Sequence, residues 1–137
     1  HLSVDRHELD VTLPLNWRTK NRVGTIFGGS LYASTDPFYM IMLMEILGRG
    51  YVVWDKGAQI RFRKPGTRTL YARFRLHPEF VAEIRARVAA EGEITFDLPL
   101  EYRDSDGVVY TEITKTLYVA TKDFYREKMA KREKKIG

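Results

Sequence analysis

The chain has 137 residues, enough for one domain with a real core, and 44% of them are hydrophobic and 30% charged, an ordinary globular balance. There is no cysteine, which excludes disulfides, thiolate metal sites and a cysteine nucleophile, and fits a cytoplasmic protein. The net charge of +5 is concentrated at one end: residues 122–137 carry +4 and residues 1–121 only +1. The basic balance is therefore a property of a tail, which argues against a nucleic-acid surface on the body of the fold.

His7 to Leu15 alternates Leu9, Val11, Leu13 and Leu15 with polar residues. Period two predicts a half-buried strand, and Pro14 puts its end near a sheet edge. Asn16 to Thr25 is polar and loop-like. A helical run then extends to about Leu47, with Gly48 and Gly50 as stop signals. Its second half is apolar on nearly every side, which predicts burial all round. Glu45 is the exception and is expected to reach solvent or a partner's arginine. Pro37 interrupts this run. Either the helix kinks near Ala33, or Asp36 caps a helix whose first position is Pro37.

Tyr51 to Arg63 places Ala58, Ile60 and Phe62 on one face and Gln59, Arg61 and Arg63 on the other. After the turn Lys64-Pro65-Gly66-Thr67, residues Thr69 to Leu76 alternate again. Local rules make these two strands a hairpin. Pro78 starts a helix with the stripe Phe80, Val81, Ile84 and Val88, ended by Gly92. A long strand from Ile94 to Tyr102, the turn Asp104-Ser105-Asp106-Gly107 and a last strand from Val109 to Val119 complete the body. Phe124 to Lys135 reads as a charged, solubilising helix with Glu127 four residues before Lys131. We divide the chain into a domain at 1–121 and a basic helical tail at 122–137. No stretch is apolar and long enough to span a bilayer, so no membrane association is expected. No secretory leader pattern is present in these residues.

The chemistry concentrates in Asn21 to Asp36. Gly28 and Gly29 close a polar loop and open an apolar helix, so backbone N–H groups are bare there. Such groups attract a phosphate or a developing oxyanion. Asp36, seven residues past Gly29, lies close to two turns further on, which puts both on one face of a continuous helix. Arg61, Arg63, Lys64 and Arg68 flank the Pro65-Gly66 turn, and Arg73 and Arg75 follow. They form either a solvated sheet face or a rim that draws in phosphates. The histidines His1, His7 and His77 have no metal-ligand spacing, so no metal is expected. Ser30 is not in a nucleophile elbow, and the glycine run lacks the lysine of a phosphate-binding loop.

The pattern Asn21…Gly28-Gly29…Asp36 resembles the hotdog-fold acyl-CoA thioesterases, particularly the phenylacetyl-CoA thioesterase-like branch. Those enzymes have an Asn, a His-Gly-Gly loop and an acidic residue seven positions later. Phe27 stands here where they have His, which is closer to an uncharacterised Phe-Gly-Gly branch. The resemblance implies an α+β hotdog fold, about five antiparallel strands wrapped around a long buried helix. It also implies that the strands at 51–63 and 69–76 do not pair, against the local rule.

For function, the resemblance implies hydrolysis of an acyl-CoA thioester with no cofactor. Gly29, with Gly28, would hold the oxyanion, Asn21 would orient the thioester or a water, and Asp36 would be general base or nucleophile. Phe27, Gly28, Arg61, Arg63 and Lys64 would contact the substrate. A homodimer or dimer of dimers would join at the strand 51–63. Loss of the histidine keeps a non-catalytic acyl-CoA or fatty-acyl binding protein open. An RNA-binding protein rests on the tail alone. The apolar helix and 15 Phe and Tyr residues suit either an aryl or a long aliphatic acyl group.

Overall fold

The computed structural model describes residues 1–137. Five antiparallel strands form one sheet in the order β1-β3-β4-β5-β2. They are β1 (Glu8–Leu13), β2 (Tyr51–Phe62), β3 (Leu70–Arg75), β4 (Glu93–Arg103) and β5 (Val109–Thr121). The helices are α1 (Gly28–Ala33), α2 (Phe38–Leu47), α3 (Pro78–Glu91) and α4 (Lys122–Ile136). β2 and β3 do not pair: β3 lies between β1 and β4, and β2 pairs only with β5 at the far edge. The hairpin suggested by local rules is thus overridden by tertiary structure, as the resemblance implied. The Lys64-Pro65-Gly66 turn leads across the sheet instead of folding it back.

The sheet curls around α2. Tyr39, Met42, Leu43 and Leu47 of that helix are buried with Leu70, Ala72 and Phe74 of β3, Leu98, Leu100 and Tyr102 of β4, and Ile113, Leu117 and Val119 of β5. Alternation with period two on the strands supplies the sheet half of this core. The rings of Phe38 and Tyr39 meet Phe74 edge-on, with centroids 5.4 and 4.8 Å away. β3 and β4 pair only at Tyr71–Arg103. Beside that narrow join, the buried Tyr39 hydroxyl donates to the Pro99 carbonyl of β4 at 2.9 Å. Burial pushes its pKa up to about 12, so the phenol stays neutral and can keep donating.

Two helix expectations are corrected. The run from Gly28 to Leu47 is not continuous: α1 ends at Ala33 and α2 begins at Phe38. Pro37 has no N–H for the ladder, and its ring would strike the carbonyl four residues back, that of Ala33. Polar side chains bond back to carbonyls of the last turn of α1. Ser34 Oγ donates to Leu31 O at 3.0 Å and Thr35 Oγ1 to Tyr32 O at 2.8 Å. Nor is α2 buried on all sides. Ile41 and Met44 are exposed beside Glu45, because the curled sheet covers only one side of the helix. Glu45 reaches solvent as expected.

α4 is docked at its start. Thr121 caps it by accepting from Phe124 N at 3.2 Å, and the Phe124 ring lies where a Cβ on Gly92 would stand. Gly92 has φ +83°, so glycine is required there for both reasons. The ion pairs of this helix are Lys128 with Glu93 at 2.6 Å and Arg126 with Asp123 at 4.0 Å, not Glu127 with Lys131.

Candidate functional site

The loop before α1 is built by its own side chains. Asn21 Oδ1 accepts from Val23 N and Thr25 N at 3.1 and 3.0 Å, and its Nδ2 donates to Thr25 Oγ1 at 2.8 Å. The Asn21 amide is thus committed largely to shaping the turn 21–25. Ile26 N then donates to Gly66 O at 2.8 Å and Phe27 N to Thr19 O at 2.7 Å. These bonds tie the loop to the β2–β3 turn and aim α1.

At the start of α1 the N–H groups of Gly28 and Gly29 have no backbone acceptor. Phe27 precedes them in an extended conformation and offers no side-chain cap. A Cβ on Gly29 would fall 2.4 Å from the Phe27 ring, and one on Gly28 would fall 3.1 Å from the Phe62 ring. A side chain at Gly29 would therefore require the exposed Phe27 ring to move, whereas one at Gly28 would need only a small shift of the exposed Phe62 ring.

Gly28 lines a pocket of about 380 Å³ together with Leu31, Phe62, Arg63, Lys64 and Gly66. The structure thus brings the glycine end of the helix and the basic turn to one place. Arg63 is held there by Glu112 at 2.8 Å. Arg61 lies outside this lining, and Asp36 is absent from it too.

Asp36 sits in the interhelical turn and does not cap α2, whose preceding residue is Pro37 with no side-chain cap bond. Its carboxylate turns to the sheet. Lys115 Nζ of β5 donates to Asp36 Oδ1 at 3.2 Å. The same ammonium lies 2.5 Å from Asp55 Oδ2 of β2 and 5.3 Å from the centre of the Tyr32 ring. The Lys115 side chain is 0% exposed, Asp55 19% and Asp36 50%.

Three opposed effects set the charges. The Tyr32 hydroxyl and then Lys115 hold the Asp36 carboxyl below its usual pKa, outweighing partial burial. Burial acts against the Lys115 cation, but the carboxylates of Asp55 and Asp36 beside it outweigh that and leave its pKa raised. Asp36 raises the pKa of Tyr32. Each of these three shifts favours the ordinary charge near neutral pH: an ionised Asp36, a cationic Lys115 and a neutral Tyr32 phenol. Asp55 Oδ2 is buried without a well-directed hydrogen bond, so its contact with Lys115 is Coulombic.

Comparison with known proteins places this geometry. A family model described as a domain of unknown function, DUF4442, matches residues 1–119. The chain belongs to the DUF4442 family. No curated protein matches it. Among solved structures it is similar to a probable thioesterase of unknown function from Pseudomonas aeruginosa, with TM-score 0.73 and 18% identity over 84% of this chain and 77% of that one. A protein of unknown function from Chlorobaculum tepidum gives TM-score 0.67 and 14% identity, over 84% and 77% of the two chains. A thioesterase from Haemophilus influenzae gives 0.59 and 16%, over 84% and 73%. The fold of this DUF4442 chain is the hotdog fold.

In this DUF4442 protein, Lys115 and Asp55 are the residues that sequence reasoning missed. Lys115 falls in the inward series Ile113, Lys115, Leu117, Val119 of a central strand. A charge in a core-facing, period-two position requires a buried counter-charge, and that signal was readable. Asp55 is less legible, because a bulge between Asp55 and Gly57 shifts the phase of β2. The inward set runs Val53, Asp55, then Ala58 and Ile60. No group of His, Cys, Asp and Glu in the chain has the arrangement of a metal site. No helix is long and apolar enough to cross a membrane.

Proposed function

We propose that this DUF4442 protein hydrolyses an acyl-CoA thioester. The observation that supports this most is the convergence of Gly28, Arg63 and Lys64 around one pocket, with the acceptor-free N–H groups of Gly28 and its neighbour Gly29 at the helix start beside it. A thioester carbonyl at the Gly29 N–H gains a donor aimed at the charge that develops during attack. Arg63 and Lys64, with Arg61 nearby on the same strand end, attract the phosphates of coenzyme A. Asn21 contributes by fixing the loop. Asp36 acts on the reacting centre, either taking the proton of an attacking water or attacking the carbonyl itself. In the first route the C–S bond breaks and the thiolate takes the proton that Asp36 removed from water. In the second, C–S cleavage leaves an acyl-aspartyl anhydride that water then hydrolyses, giving the acid, free Asp36 and the thiolate's proton.

Asp36 does not line the pocket of its own chain. In our reading the site is shared, with Gly29 of one subunit facing the Asp36 of a second copy. β2 carries a free backbone edge on which a second copy can add. Mixed dimers of Asp36→Asn chains with chains carrying a Gly29 substitution test this. A shared site gives partial recovery of activity, and dead mixed dimers contradict it.

A second reading has its own observation. The Phe27 ring replaces an imidazole and crowds Gly29, as in a protein that binds acyl-CoA without cleaving it. A panel of aryl- and alkyl-CoA thioesters separates the two. Thiol release from at least one member supports hydrolysis. Saturable binding with no release supports the non-catalytic reading, and neither binding nor release contradicts both.

A further inference from the structure

The cluster behind Asp36 carries an inference that rests on the hydrolytic reading and reaches beyond it. A fully buried lysine is costly unless it is paired, and Lys115 is 0% exposed on a central strand. A methionine or leucine in its place would complete the apolar series of Ile113, Leu117 and Val119. The lysine reaches Asp36 at 3.2 Å and Asp55 at 2.5 Å, and the Tyr32 ring closes over it at 5.3 Å. Of its two anionic partners, Asp55 is mostly buried whereas Asp36 is half exposed. One partner faces the interior and anchors the lysine. The other faces outward and is available to a substrate.

We propose that Lys115 is a positioning residue for Asp36: anchored by Asp55, it fixes the direction in which the half-exposed Asp36 carboxylate is presented to the reacting centre. The titratable groups around Asp36 are Tyr32 from α1, Lys115 from β5 and, behind the lysine, Asp55 from β2. Tyr32 acts in the same direction on Asp36, and its ring lies against the same ammonium. The interhelical turn is what permits this. The break before Pro37 frees Asp36 from a helical ladder, and the ion pair replaces the ladder as the constraint on its orientation.

The test uses Lys115→Met and the double variant Lys115→Met with Asp55→Asn, which removes both buried charges and preserves the fold if the single variant does not. Carbon-13 NMR follows the titration of the Asp36 carboxyl in each full-length protein. The inference predicts an Asp36 midpoint below the usual carboxylate range in the parent and a midpoint raised in the folded double variant. It also predicts a kcat on the acyl-CoA panel that falls about tenfold or more while KM stays unchanged, with the acid limb of kcat moving up alongside the NMR midpoint. An unchanged midpoint in the folded double variant overturns the inference. A parent protein that turns over no acyl-CoA defeats the hydrolytic reading but leaves the NMR comparison to decide the role of Lys115 independently.

Discussion

Two ion pairs in this molecule use the same chemistry in opposite surroundings. On the outer face, Arg73 of β3 pairs with Asp10 of β1, directly across the ladder. Its Nε and Nη2 meet the two carboxylate oxygens at 2.6 and 3.2 Å, a bidentate geometry with both side chains about half exposed. On the inner face, Lys115 meets Asp36 through one nitrogen at 3.2 Å and Asp55 off-axis at 2.5 Å. By geometry the outer pair is superior. Yet water screens the outer pair, and either of its partners can be solvated alone. The inner lysine has no such alternative. Surroundings, not bond lengths, decide which pair the fold depends on.

The largest expected effect is that of Lys115→Met. It leaves Asp55 buried with no counter-charge and should cost about 3–5 kcal/mol of unfolding free energy in a urea titration. Adding Asp55→Asn should recover most of that loss, since the buried charge is then gone. A single variant as stable as the parent would erase the distinction between the two pairs.

Acid sharpens the comparison next. Asp10 is held below its usual pKa by Arg73, and Asp36 by Tyr32 and Lys115. A depressed folded-state pKa contributes stability above the unfolded value of about 3.9, and that stability is lost as pH falls through the folded value. Both pairs therefore predict constant stability from neutral pH down to the ordinary carboxylate range and a decline below it. Asp36 is as exposed as Asp10 but its lysine is fully buried, so the Asp36 share of that decline should shrink less at high salt than the Asp10 share. Melting curves of Asp10→Asn and Asp36→Asn at low and high salt read the two shares. The smallest effect is that of Arg73→Ala, which should leave the melting midpoint unchanged within error at high salt.

Much of the fold was legible because its signals are local. Alternation marked β1, β3, β4 and β5, and Pro78 and Gly92 bounded α3 to the residue. Two features were not local. Nothing within residues 51–76 says that two other strands come between β2 and β3; that came from the likeness of the Asn21…Gly28-Gly29…Asp36 pattern to a known fold. The bulge in β2 hid the inward position of Asp55, since a period-two count slips by one residue there. Pro37 allowed two outcomes for Asp36, and local preference could not choose between them. A lysine 79 residues further along the chain made the choice. The glycine pair and the basic turn were found separately in the sequence, and the bond from Ile26 N to Gly66 O explains why they meet.

Asp36 is the residue on which the proposed hydrolysis depends most directly. Purified Asp36→Asn protein should be compared with the parent for thiol release from the acyl-CoA panel, with binding of the same compounds measured in parallel. Our reading predicts binding within a few-fold of the parent and a loss of turnover of about a hundredfold or more. Turnover equal to that of the parent in a folded Asp36→Asn protein would contradict it.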